Sequence, residues 1–81
     1  MESIEIKVVG ILKRYSFEKK VWNKYQPELE IIKDLNINSA RIVDIVLDVE
    51  EEFDIEIDDD NLEKIVTIKN LTDIIEQKTE L

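Results

Sequence analysis

Neither cysteine nor histidine occurs in the 81 residues. The first absence removes disulfide staples, a thiolate nucleophile and zinc–thiolate sites. The second removes the commonest general base and the commonest metal ligand. Glycine is nearly as scarce. Gly10 stands alone in an apolar-periodic segment, which excludes a phosphate-binding glycine loop and a dinucleotide fingerprint. No apolar run exceeds a few residues, far short of the roughly 20 that a membrane span requires, and no signal peptide is expected. The expectation is a cytoplasmic protein without membrane insertion. Basic residues are few as well: 11 Lys and Arg stand against 20 Asp and Glu, for a net charge of −9 and a pI near 4.4. Nucleic acid is therefore not an expected partner, because phosphate binding needs clustered Lys and Arg.

What is present points to a small folded helical protein. Hydrophobic residues make up 43% of the chain, and they are periodic rather than scattered. A chain of this length is expected to form a single domain over residues 1–81 with one core. Ile4, Val8, Ile11 and Leu12 recur at helical spacing, with Ile6, Val9 and Tyr15 beside them, so residues 2–15 read as an amphipathic helix. The pattern then breaks, Pro27 interrupts it, and residues 16–37 read as a long loop with a helical turn near 17–24. Phe17, Val21, Trp22, Leu29, Ile31 and Ile32 are expected to pin that loop to the core.

Asn38-Ser39 opens the strongest helix, in the position of an N-cap. Ile42, Val43, Ile45, Val46, Leu47, Val49 and Phe53 form a broad apolar face, while Arg41, Asp44, Asp48 and Glu51 share the opposite one. Asp58-Asp59-Asp60-Asn61 marks the start of a short helix reaching about Ile65. Thr67 is placed to cap a last helix bearing Ile68, Leu71, Ile74 and Ile75, with Lys78 near its end. The fold class is all-α: three main helices and a short one, with a long first loop. Acidity concentrates in the second half, with residues 1–38 carrying +1 and residues 39–81 carrying −10. One acidic face that steers basic partners is implied, and a monomer is expected from it.

Chemistry-bearing constellations are weak when read alone. A catalytic carboxylate pair needs a pocket that separates the two pKa values, and Glu50, Glu51 and Glu52 in an acidic stretch read instead as a solvated surface. Asp54, Glu56, Asp58 and Asp60 alternate like calcium-loop ligands, but the sixth position is Asp59 where glycine is needed and the twelfth is Ile65 where glutamate is needed. No metal site is expected. Ser39 has no histidine to activate it, so no catalytic residue is expected, and taken alone it reads as a helix cap.

The surroundings of Ser39 change that reading. Asp34-Leu35-Asn36-Ile37-Asn38-Ser39-Ala40 resembles the Asp-Leu-Gly-x-Asp-Ser-Leu signature of acyl carrier proteins. Glu50 to Ile57 resembles that family's Glu-Glu-Glu-Phe-x-x-x-Ile segment, and Glu63 to Ile68 resembles its Glu-Lys-Ile-x-Thr-Val. The three agree in order and spacing, without a gap, from about residue 28 to 77.

The resemblance implies a four-helix bundle in which a phosphopantetheinyl transferase attaches 4′-phosphopantetheine, taken from coenzyme A, to Ser39. The protein is then not an enzyme; its arm carries acyl groups as thioesters to partner enzymes of fatty-acid, lipid or secondary metabolism. Asp44, Asp48, Glu50, Glu51, Asp54 and Glu56 correspond to the surface that basic patches of acyl-transferring or acyl-synthesising enzymes contact. Ile32, Val49, Ile57, Ile65 and Leu71 would line the acyl-chain cavity. Four positions depart from the signature: Asn36 for Gly, Asn38 for Asp, Ala40 for Leu, and Arg41 where acids are common. They point to a specialised carrier with its own partners. An aminoacyl or peptidyl carrier shares the serine and arm, and an unmodified acidic interaction module shares the fold.

Overall fold

The computed structural model describes residues 3–17 and 19–79. Its helices are α1 (Ile4–Lys13), α2 (Ile42–Phe53), α3 (Asp59–Leu62) and α4 (Ile68–Thr79), with 3₁₀ turns at Lys20–Lys24 and Ser39–Arg41. Ser3 caps α1, its Oγ accepting from the Ile6 N–H at 3.1 Å. Thr67 caps α4 reciprocally. Its Oγ1 accepts from the Asn70 N–H at 3.0 Å, and Asn70 Oδ1 accepts from the Thr67 N–H at 2.9 Å, a capping box with Asn in place of Glu or Gln. The expected short helix is cut to one turn. Asp58 stands at its N-cap position, and the chain leaves the helix after Leu62 so that Ile65 can turn inward.

The core is aliphatic. Val8, Ile11 and Leu12 of α1 meet Ile45, Val46 and Val49 of α2 and Ile68, Leu71, Ile74 and Ile75 of α4. Each such side chain contributes roughly 1.5–3 kcal/mol on full burial. The radius of gyration is 11.8 Å, against about 12 Å expected for a compact chain of this length.

The second half of the long loop is stitched to the segment before α4. Ile31 donates to the Val66 carbonyl at 2.9 Å, Ile68 to Leu29 at 3.0 Å and Lys69 to Pro27 at 2.8 Å, around a bridge between Glu30 and Thr67. These bonds satisfy backbone groups that a loop crossing a core would otherwise leave unpaired. Ser16 is buried too, and its hydroxyl donates to the Leu35 carbonyl at 3.0 Å.

Four apolar assignments are corrected by the fold. Ile31, fully buried, takes the inward place, and Ile32 beside it in the turn is 46% exposed. Ile32 therefore does not line the interior. Phe17 is 91% exposed and pins nothing; Leu35 and Ile37 do that work. Val43 and Leu47 are 58% and 56% exposed. At 3.6 residues per turn Val43 falls a quarter-turn, and Leu47 still further, from the centre of the arc formed by Ile42, Val46, Val49 and Phe53.

Candidate functional site

Each position of the 34–40 segment has a local physical task. Asp34 closes the turn before α2, its Oδ2 accepting from the Glu30 N–H at 2.7 Å and its N–H donating back to the Glu30 carbonyl at 2.9 Å. Leu35 and Ile37 point inward and are buried. Between them Asn36 has φ 56°, a left-handed conformation that glycine adopts freely and asparagine best among the rest. This explains why the signature has glycine there and why Asn substitutes. Asn38 then caps the 3₁₀ turn, its Oδ1 accepting from the Ala40 N–H at 2.8 Å.

That last bond settles which residue caps the turn. The cap belongs to Asn38, so the serine hydroxyl is not committed to it. Ser39 is exposed at the first residue of the turn that leads into α2, where an incoming reagent meets it from solvent.

The acidic side chains ahead of it are not equivalent. Asp44 pairs with Arg41 at 3.0 Å. Asp48 accepts from the Tyr15 hydroxyl and lies 4.0 Å from Arg14. That hydrogen bond, with burial and the negative charge of Asp48, pushes the Tyr15 pKa above its ordinary 10.0. Glu50 is half-buried and turned back on the fold, its Oε2 accepting from the Ile57 N–H at 2.7 Å. Glu51, Asp54 and Glu56 are exposed, with Asp54 closing α2 in the left-handed region at φ 55°. Val43 and Leu47 form an apolar strip on the same helix. The sequence reading set them on the broad apolar face of the helix, and their angle on the helical wheel takes them off its buried part. Among the proposed cavity residues, Val49 and Leu71 are fully buried and Ile57 and Ile65 are each 8% exposed. Among the described residues no cluster of acids could hold a metal ion, and no helix is long and apolar enough to cross a membrane.

Residues 27–75 match the family model of the phosphopantetheine attachment site. The chain belongs to the acyl carrier family. The acyl carrier protein of Helicobacter hepaticus is 44% identical over 54 residues, covering 67% of this chain and 71% of the relative. That of Desulforapulum autotrophicum is 38% identical over 53 residues, covering 65% and 69%. That of a Picosynechococcus species is 47% identical over 53 residues, covering 65% of each. As an acyl carrier, the protein bears a covalent 4′-phosphopantetheine and holds acyl groups on it. The family consists of carriers, not catalysts.

Proposed function

We propose that Ser39 Oγ is the attachment atom, and that the protein is a non-enzymatic carrier presented to partner enzymes in the cytoplasm by the exposed side of α2. The observation that supports this most directly is the transfer of the capping task to Asn38, which leaves an exposed serine hydroxyl at the head of the helix. The site suits the group: an uncommitted nucleophilic oxygen on a short, ordered turn, open to a transferase. In loading, the Ser39 O–H bond and the pyrophosphate P–O bond of coenzyme A break. An Oγ–P bond forms, and adenosine 3′,5′-bisphosphate leaves. Once attached, the arm supplies the thiol that this cysteine-free chain lacks.

The docking surface we assign consists of Asp44, Asp48, Glu51, Asp54 and Glu56, with Val43 and Leu47 set among the acids of α2. Charges on such a rim govern encounter rate and salt sensitivity, and exposed apolar side chains supply short-range contact. Glu50 belongs to this face only secondarily, because its carboxylate already serves the backbone of Ile57. Val49, Ile57, Ile65 and Leu71 are the residues we assign to the shelter of an acyl chain, each buried methylene contributing about 0.8 kcal/mol.

Intact mass after incubation with coenzyme A, magnesium and a broad-specificity phosphopantetheinyl transferase tests the reading. The expected result is a gain of one phosphopantetheine in the parent chain and none in Ser39→Ala. No gain, even with a transferase from the same host, overturns it and leaves an acidic interaction module of this fold. Charging of the loaded protein by an amino-acid-adenylating enzyme rather than by acyl-loading enzymes would reassign it as an aminoacyl carrier.

A further inference from the structure

We infer that the arm does not only reach outward or into the bundle but docks along the loop side of Ser39, in a groove lined by Arg14, Tyr15, Phe17, Asn36, Asn38 and Arg41. The groove encloses about 530 Å³, within the roughly 300–1,000 Å³ that seats a small ligand. It adjoins the attachment point by construction: Asn38 precedes Ser39 and Arg41 closes the same turn. The inference rests on Ser39 carrying the arm.

The chemistry of the lining matches the arm group by group. A phosphodiester on Ser39 places an anion two residues from the Arg41 guanidinium, and guanidinium–phosphate bonds are charge-assisted and geometrically matched. Arg41 and Arg14 are themselves exposed and pair with half-buried carboxylates, Asp44 at 3.0 Å and Asp48 at 4.0 Å. Each guanidinium keeps further donors in its fork beyond the one turned to the carboxylate. The geminal methyls of the pantoyl unit need an apolar surface, and Phe17 offers one. It is 91% exposed, an aromatic ring that the fold itself does not use. The amides of the arm find their match in the carboxamides of Asn36 and Asn38. Asn38 spends one acceptor on its cap but keeps its NH₂ donors. The departures from the family signature at 36, 38 and 41 thus line one wall of the groove.

The test uses isotope-labelled protein carrying an unlabelled arm. Complete loading is first verified by mass, and isotope-filtered NOEs and apo-to-holo shifts are then recorded. The expected result is NOEs from the geminal methyls to the Phe17 ring, with shifts at the side-chain amides of Asn36 and Asn38 and at the Arg41 Nε–H. In Phe17→Ala and Arg41→Gln, still fully loaded and with unchanged circular dichroism, the Asn36 and Asn38 shifts are lost. Full loading without a Phe17 contact, or with the same shifts in both variants, overturns the inference and leaves the attachment reading intact. A chain that gains no mass overturns both, so the mass spectrum separates the two failures.

Discussion

Glu50 shows why a charge on a helix face is not by itself a partner contact. Its carboxylate accepts from the Ile57 N–H at 2.7 Å in a half-buried setting, tying the end of α2 to the segment that enters α3. A backbone N–H left without that acceptor costs about 1–3 kcal/mol. Glu50→Ala is therefore expected to lower stability by about 1–2 kcal/mol in urea unfolding. Glu50→Gln, which keeps an acceptor oxygen, should lose much less. Equal stability of Glu50→Ala and the parent would mean that the bond does not hold the loop. Glu51, which points to solvent, offers the contrast: its removal should leave folding unchanged and act only on encounter with basic partners.

Within α2 a single helix divides its apolar residues between two uses. Ile45 is 1% exposed and Leu47 is 56% exposed, two positions apart. Ile45→Ala opens a cavity between α1 and α2 and is expected to cost about 2–5 kcal/mol, a large share of the stability of so small a domain. Leu47→Ala should stay within about 0.5 kcal/mol of the parent. The order reverses for docking: Leu47→Ala is expected to slow arm loading and partner turnover while its melting curve overlays the parent's. A Leu47→Ala protein that loads at the parent's rate would remove the apolar strip from the docking surface.

At the scale of the whole molecule, the tyrosines join elements across the fold, and an alkaline limit to stability is expected from them. Tyr15 donates to Asp48, linking the end of α1 to α2, and Tyr25 donates to Glu5, linking the loop to α1. Tyr25 is raised above its ordinary 10.0 by burial first and by the bond to Glu5 second; Tyr15 is raised chiefly by the bond to Asp48. A raised folded-state pKa means that the native chain holds the proton longer than the unfolded one. The stabilisation is complete below pH 10 and is lost as pH climbs toward and through the folded values. Lys69, raised by its hydrogen bond to Asp73, acts in the same direction above 10.5. The melting temperature is expected to fall as pH rises beyond 10, and less steeply in Tyr15→Phe/Tyr25→Phe. Parallel curves for the two proteins would show that these phenols do not set the alkaline limit.

Local information was enough for the parts of this protein that depend on near neighbours in the chain. Apolar periodicity places the three main helices, the acidic run at Asp58 places the short one, and capping chemistry marks Asn38 and Thr67 near the starts of theirs; the Ser3 cap came from the structure. The spacing of the segments around Ser39, Glu50 and Glu63 identifies the family, because each repeats a local geometric need such as the left-handed turn at Asn36. Tertiary structure decided what adjacent or alternating residues do when both are apolar. Ile31 goes in and Ile32 out, Val46 goes in and Leu47 out, because burial is allotted by the angle each side chain makes with elements distant in sequence. It also decided that Asn38, not Ser39, makes the cap, that Glu50 serves the fold, and that Arg14 of one segment lines the same groove as Arg41 of another. A pattern within the chain carries no record of which distant groups will share a surface; packing α1, the loop and α2 around one aliphatic core settles that.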